Sequence, residues 1–439
     1  RVSDVQGPRS QPGIDGRGGR ASEDPSASTE QAGLFLPGGF AGGGEPSFPV
    51  RAPTLPALPH TLALARALRP LRLAVPSPRP GRLNEERTAV RFADTLIWEP
   101  QLDAAAERRF ELVLVVDVAR SMVVWRHTAD ELRLLLERLG AFRDVRIRYL
   151  DTDASADTST DTSTDTEPAE LPDVVGGAGT RRIVLVVSDC IGAAWQDGRA
   201  AALLERWGRS ASVAIVQPLP QRLWRRCAAA TERVWLRAAG TGTPNAGLSV
   251  RMRDRHAGAV PPGIAVPVLE LDRRWLGPWA AMVAGSGTEI SGVALFTGRP
   301  SAPAALPEPE PAPEGDAEVV EPSARERVRR FRASASPKAV ELAGYLAAAP
   351  LRLPVMRLVQ GTMMPGSTPA HLAEVFLGGL LRVDSAQSDR QDPSEVAYEF
   401  HDGVRDVLLG GLRRDDALHV LREVWGTVRD RLGSTLDFP

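Results

Sequence analysis

The chain has 439 residues, enough for two or three domains of ordinary size and a well-filled core. Its 53 Lys+Arg and 55 Asp+Glu leave a formal net charge of −2, which speaks against a protein built mainly to coat nucleic acid or an anionic membrane. The single lysine, Lys338, sits in Ser-Pro-Lys-Ala, so the sequence holds no G-x-x-x-x-G-K-[ST] loop; P-loop NTPase and protein-kinase chemistry are excluded.

The two cysteines, Cys190 and Cys227, are too few for a Cys-rich zinc site or a disulfide framework, and a reduced, cytoplasmic setting is expected. The six histidines are scattered and form no H-E-x-x-H pair. No run of about 18 apolar residues suggests a membrane span, and no apolar h-region suggests a secretory signal.

Gly 40 and Pro 37 concentrate at the start and in one internal stretch. Residues 1–56 carry Gly, Ser, Pro and isolated charges without apolar period, and are expected to be disordered. An α/β domain is expected over 57–300. It opens with a helix bearing Leu62, Leu64, Ala65 and Leu68 on one face, then short extended pieces at Ala89–Phe92 and Thr95–Trp98.

Phe110 to Val116 is an apolar run ending in Asp117, the pattern of a strand buried on both faces of a parallel sheet. Leu132, Leu135, Leu136 and Leu139 follow at i, i+3, i+4, i+7, a helix closed by Gly140. Val145, Ile147 and Tyr149 alternate into Asp151 as a second strand. The D-T-S-T repeat of residues 157–166 reads as a surface insertion, lacking the ligand spacing and turn glycine of a calcium loop.

Ile183–Val187 is another buried strand, ending at Ser188-Asp189. An amphipathic helix with Ala200, Leu203, Leu204 and Trp207 comes next, then strands at Val213–Val216, Val234–Leu236 and Ile264–Leu271, with a short helix near Arg222–Cys227. Arg274–Val283 closes as a helix and Gly292–Phe296 as a last strand. Strands alternating with helices, each strand ending in polar residues, imply a doubly wound, mainly parallel sheet with its site at the strand ends.

Residues 301–321 form a Pro/Glu-rich linker, and a mainly α domain occupies 322–439. Helices are expected at 337–348, 354–364 and 368–380, then a two-stranded wing from Leu380–Val383 and Val396–Phe400. Two more helices follow, the first with Asp402 as N-cap, the second with Leu418, Leu421, Trp425, Val428 and Leu432. Three helices and then a hairpin is a winged-helix order. The third helix offers only His371 and Glu374 as titratable groups, whereas groove-reading helices need Arg, Lys, Asn or Gln, so protein docking suits it better than DNA.

The turn Asp117-Val118-Ala119-Arg120-Ser121, with Ser188-Asp189 ending a later strand, resembles the von Willebrand factor A domain. In that family an Asp-x-Ser-x-Ser turn, a threonine and a second aspartate form a metal-ion-dependent adhesion site for Mg²⁺, a hard cation that takes oxygen ligands and keeps several waters. The resemblance implies Asp117, Ser121 and Asp189 as metal-site residues. Ala119 stands where the family has its first serine, and a methyl group cannot ligate. Thr180 precedes a strand and does not match the threonine. The site is therefore read as degenerate, its aspartates binding loop amides and capping helices.

With Leu150-Asp-Thr-Asp, Leu185-Val-Val-Ser-Asp-Cys, Val216-Gln-Pro-Leu-Pro-Gln-Arg-Leu-Trp and Phe400-His-Asp-Gly-Val-Arg-Asp-Val-Leu-Leu, residues 57–439 resemble actinobacterial SAV-type N-terminal domain-related proteins. That resemblance implies an adaptor or sensor of an NTP-dependent conflict or defence system, partnered by a MoxR-type AAA+ ATPase, a STAND-type NTPase or a peptidase. Any ATP dependence would come from the partner.

Two other readings come from the residues. Cys190 and His127 follow strand ends, so a Cys-dependent hydrolase is geometrically conceivable, although no third orienting residue stands out. The winged domain raises a DNA-binding regulator. Trp195, Trp207, Trp224, Trp235, Trp275 and Trp279 are expected mostly in the core, and Arg222, Arg225 and Arg226 on a solvated helix face.

Overall fold

The computed structural model describes residues 57–58, 60–154, 181–254, 259–299, 322–383 and 397–432. The expectations for residues 1–56, the 157–166 repeat, Thr180 and the 301–321 linker lie outside the described residues.

Helix α1 (Thr61–Ala67) leads into strand β1 (Ala74–Leu83), helix α2 (Glu85–Thr95) and strand β2 (Leu102–Arg108). β1 and β2 pair antiparallel in a two-stranded sheet of their own. A Cβ on Gly81 would stand 2.6 Å from the Asp103 carbonyl oxygen, so this close crossing requires glycine. The extended conformation expected at Ala89–Phe92 is not found. Asn84 caps a helix there, accepting from the Arg87 amide at 2.9 Å, and Glu85 and Glu86 occupy the first turn where the helix dipole favours anions.

The main sheet is built from β3 (Phe110–Asp117), β4 (Phe142–Leu150), β5 (Arg181–Val187), β6 (Ser212–Gln217), β7 (Thr231–Arg237), β8 (Ser249–Met252), β9 (Ala265–Glu270) and β10 (Ile290–Phe296). Its eight strands run in the order β4-β3-β5-β6-β9-β10-β7-β8. The pairs from β4 to β9 are parallel, whereas β9/β10, β10/β7 and β7/β8 are antiparallel. The α/β class and mainly parallel sheet are thus present, and the antiparallel flank, with β8, goes beyond the sequence reading. β3, β5 and β6 are buried almost throughout, as their unbroken apolar runs require.

Helices α3 (Arg126–Arg138), α4 (Ala193–Gln196), α5 (Arg199–Gly208) and α6 (Arg273–Val283) connect these strands. Leu132, Leu135 and Leu136 of α3 and Leu204 and Trp207 of α5 face the core, the stripe that their spacing predicts. Trp195, Trp207, Trp224 and Trp279 are buried, and Trp235 and Trp275 half-buried.

The C-terminal part contains α7 (Ala324–Ser334), α8 (Pro337–Ala347), α9 (Leu353–Met363), α10 (Pro369–Leu377), the hairpin β11 (Leu381–Val383) and β12 (Tyr398–Phe400), α11 (Val404–Leu409) and α12 (Arg414–Leu432). Ser336 caps α8, with Pro337 in its first turn, and Thr368 with His371 forms a capping box on α10. Asp402 does not cap α11. Gly403 takes that position with φ 75°, and the Asp402 carboxylate pairs with Arg382 at 3.1 Å. No helix among the described residues is long and apolar enough to cross a membrane.

The helical part rests on the α/β part at the strand ends. α10 packs against the 3-10 turn Arg120–Trp125. From α9, Arg357 Nη2 donates to the carbonyls of Val124 at 3.2 Å and Val123 at 3.5 Å. Arg222 is exposed, as expected of a solvated face, and its guanidinium also forms an ion pair with Glu374 of α10.

Candidate functional site

Three parallel strands end side by side and deliver the candidate residues. β3 ends at Asp117, β4 leads into Asp151-Thr152-Asp153, and β5 leads into Ser188-Asp189. The Val118 amide donates to the Leu150 carbonyl at 2.9 Å, holding the first two turns together. Buried strands must stop in polar residues here, because the chain leaves the apolar layer and its amides need acceptors.

Asp117 is 2% exposed, and its carboxylate receives donors from all three turns. Ser188 Oγ donates to Oδ2 at 2.6 Å, Thr152 Oγ1 lies 3.0 Å from Oδ1 and 2.9 Å from Oδ2, and the Ala119 amide donates to Oδ1 at 3.0 Å. Burial raises the Asp117 pKa, opposed by the hydrogen bonds from Ser188, Ala119 and Thr152 and by the Trp195 indole.

Asp189 is equally buried. Ser121 Oγ donates to its Oδ1 at 3.1 Å and the Ile191 amide to the same oxygen at 3.2 Å. Burial, then the charge of Asp117, push its carboxyl up to about 7. The structure therefore brings together Asp117, Ser121 and Asp189, the three residues singled out by the sequence. Both aspartates bind loop amides as expected, but neither side chain caps a helix: no side-chain cap is formed at Ala119 or Gly192, which begin the following helical turns.

Thr152 is the residue that sequence reasoning missed. It is fully buried, and its hydroxyl meets the aspartate that begins the turn. The signal was present in Leu150-Asp-Thr-Asp, a polar cluster at the end of the strand neighbouring β3. The loop after β5 closes over it: the Ala194 amide donates to the Thr152 carbonyl at 2.7 Å, and a Cβ on Gly192 would collide with the Thr152 side chain.

The donor set comprises two carboxylates and the hydroxyls of Ser121, Thr152 and Ser188, chemistry that suits a hard cation. Its arrangement does not fit hydrated Mg²⁺. Ala119 has no side-chain oxygen and its carbonyl accepts from the Met122 amide at 2.9 Å, both Asp117 oxygens already accept hydrogen bonds, Ser121 is committed to Asp189, and both carboxylates are shut away from water. Among the described residues no three His, Cys, Asp or Glu side chains converge on a common point.

Cys190 follows Asp189 with φ 58°, fully buried, its amide donating to Ser188 Oγ at 3.0 Å. Burial, then the neighbouring Cys227, Asp189 and Asp117, push its thiol well above the ordinary value, away from the thiolate that a nucleophile requires. His127 is driven down to about 4 by burial and by Arg357 and Arg126, so its imidazole is neutral.

Comparison of the chain with protein-family models, with curated proteins and with solved structures finds no match.

Proposed function

We propose that the chain is a non-enzymatic protein-interaction adaptor or sensor, built from a von Willebrand factor A-like module with a degenerate metal-ion-dependent adhesion site and a winged-helix-like C-terminal domain. The observation that carries this reading is the saturation of Asp117. Its oxygens are taken up by Ser188, Thr152 and the Ala119 amide, so the strand-end carboxylate fixes three loops to one another and offers no open ligand position. A site used in this way shapes a surface.

The docking of α10 and α9 on the Arg120–Trp125 turn supports an exchange model. The helical domain covers part of the strand-end surface, and a partner competes for it or reads the two domains together. The sequence resemblance points to the partner class, an ATPase of the MoxR or STAND type or a peptidase from the same conflict or defence system, in the cytoplasm. The buried Cys190 thiol gives no support to a hydrolase. Packing of α10 against the α/β part gives none to groove reading.

The test is affinity purification of the tagged full chain from its native host, followed by mass spectrometry. Recovery of an ATPase, peptidase or sensor protein is expected, raised by Arg357→Ala or Arg222→Ala where the partner competes with α9 and α10 for the strand-end surface and lowered where it reads both parts together. Recovery of nucleic acid without such a protein would sink the adaptor reading.

A further inference from the structure

The α2 unit lies outside the functional reading above. It is carried by the β1–β2 ribbon, whose base is fixed at the opposite end of β4 from the candidate site: Ser77 Oγ donates to Glu107 at 2.6 Å, and Glu107 pairs with Arg143 at 3.1 Å, at the start of β4. Beyond that base the unit has little core of its own. Thr88 is the one buried residue of α2, linked through its hydroxyl to the Asn84 carbonyl and the Gln101 amide. An 11-residue helix is marginal alone in water, and so is a two-stranded ribbon.

The helix is nevertheless amphipathic. Ala89, Phe92, Ala93 and Leu96 recur at i, i+3, i+4 and i+7, the spacing that normally faces a core, and all four are exposed. Leu96 turns the chain with φ 53°, unusual for a leucine, and Ile97 and Trp98 continue the apolar surface, with Trp98 edge-on to Phe92 at 6.3 Å. Leu96, Ile97 and Trp98 are 79%, 67% and 66% exposed, a run of three large apolar side chains in water. Contiguous patches of this kind mark interaction sites.

Charge selects the occupant. Between Leu83 and Asp103 stand five acids and two bases, a net charge of −3. Both bases are engaged within the unit, Arg87 with Asp103 at 3.4 Å and Arg91 with Glu99 at 2.9 Å. Glu85, Glu86 and Asp94 make no ion pair among the described residues. Asp94 sits in the last turn, where the helix dipole disfavours an anion. A second copy would set one −3 surface against another. The chain's own segments outside the described residues are poor candidates: residues 155–180 and 300–321 hold six acids each and no lysine or arginine, residues 384–396 hold four acids and one arginine, and residues 1–56 set five arginines against six acids. An anionic lipid surface is repelled by the acids of α2.

We propose that the exposed face of α2 with Leu96–Trp98 docks a separate protein through an amphipathic segment whose apolar side chains are flanked by arginine or lysine. Phe92 and Trp98 supply the apolar anchor, and Glu85, Glu86 and Asp94 orient the basic flank.

Two dye-labelled peptides of about 18 residues test this, each a helix with the same leucine face, one flanked by arginine and the other by glutamate. Fluorescence anisotropy with the full chain should show the arginine peptide binding at least about tenfold more tightly, and less tightly as salt rises. Phe92→Ser with Trp98→Ser should weaken it by about tenfold or more while circular dichroism stays unchanged, since both side chains are exposed. Glu86→Arg with Asp94→Arg, which leaves the apolar face intact, should reverse the peptide preference. Equal binding of the two peptides, binding of neither, or indifference to both double substitutions overturns the proposal. So does self-association, or flotation with phosphatidylglycerol vesicles, that is lost in the Phe92→Ser, Trp98→Ser chain. Failure here leaves the strand-end adaptor reading intact, because that reading is tested by substitutions at Arg357 and Arg222.

Discussion

Glu374, with no exposed surface, receives the guanidinium of Arg222 across the boundary between the α/β and helical parts of the molecule. Its remaining partners are the Ser336 amide at 2.6 Å and hydroxyl at 3.0 Å. The residue that ties α10 to the start of α8 thus also anchors the helical domain to the loop after β6. Removing Arg222 leaves a buried carboxylate without its cation, but Arg222 itself is half exposed, which weakens the pair through solvent screening. Arg222→Ala is expected to lower the unfolding free energy by about 1–2 kcal/mol and to expose the interdomain surface to protease. Unchanged urea midpoints and cleavage rates would show that Arg222 contributes nothing.

The Thr152 hydroxyl gives a sharper test of the strand-end cluster. Thr152→Val keeps the shape but deprives the buried Asp117 of a donor, which should cost about 1–3 kcal/mol. Thr152→Ser should recover most of that loss in urea unfolding. Equal destabilisation by valine and serine would mean that packing, rather than the hydrogen bond, fixes the position.

Stability should depend on pH through Asp189. Its folded pKa of about 7 lies above the ordinary 3.8, so the folded state holds the proton more tightly than the unfolded chain. The stabilisation is fully present below about 4 and is lost as pH rises toward 7, with a slope of up to about 1.4 kcal/mol per pH unit from this one group. Asp189→Asn should flatten the slope. A wild-type chain that gains stability from pH 5 to 7 relative to Asp189→Asn would contradict the assignment.

Mg²⁺ and Mn²⁺ should show no calorimetric binding tighter than about 100 μM, because the Ala119 side chain has no ligating oxygen, its carbonyl already accepts from the Met122 amide, and Asp117 is already satisfied. Tighter binding that disappears in Asp117→Ala would mean that the loops rearrange to admit the ion.

Neither cysteine should react with alkylating reagents in the folded chain at pH 8, and both should react in denaturant. Burial raises both thiols, with Cys190 further raised by Cys227 and Cys227 by Asp189. Rapid modification of Cys190 in the native protein would reopen the hydrolase reading.

Much of this architecture could be read directly from the residues. Phe110–Asp117 and Ile183–Val187 declare buried strands because an unbroken apolar run has no solvent-facing side, and Asp117 and Asp189 stand where those strands stop, whereas Ser121 follows only from the resemblance to the von Willebrand factor A turn. The stripes of α3 and α5 were legible from spacing alone. Over Ala89–Trp98 the expected extended pieces give way to α2, because Asn84 caps a helix there, and the helix's apolar stripe lacks the burial that such a pattern normally implies.

The sequence by itself determined the alternating strands and helices, the polar strand ends and the loss of a metal-ligating side chain at Ala119, since each depends on a residue and its near neighbours. Tertiary structure alone decided which groups satisfy one another. Thr152 reaches Asp117 from 35 residues away, and Arg222 reaches Glu374 from 152. The physical reason is that a hydrogen bond acts over about 3 Å and a buried charge responds to whatever folding brings within that reach, so partners remote in the chain leave no local period to read.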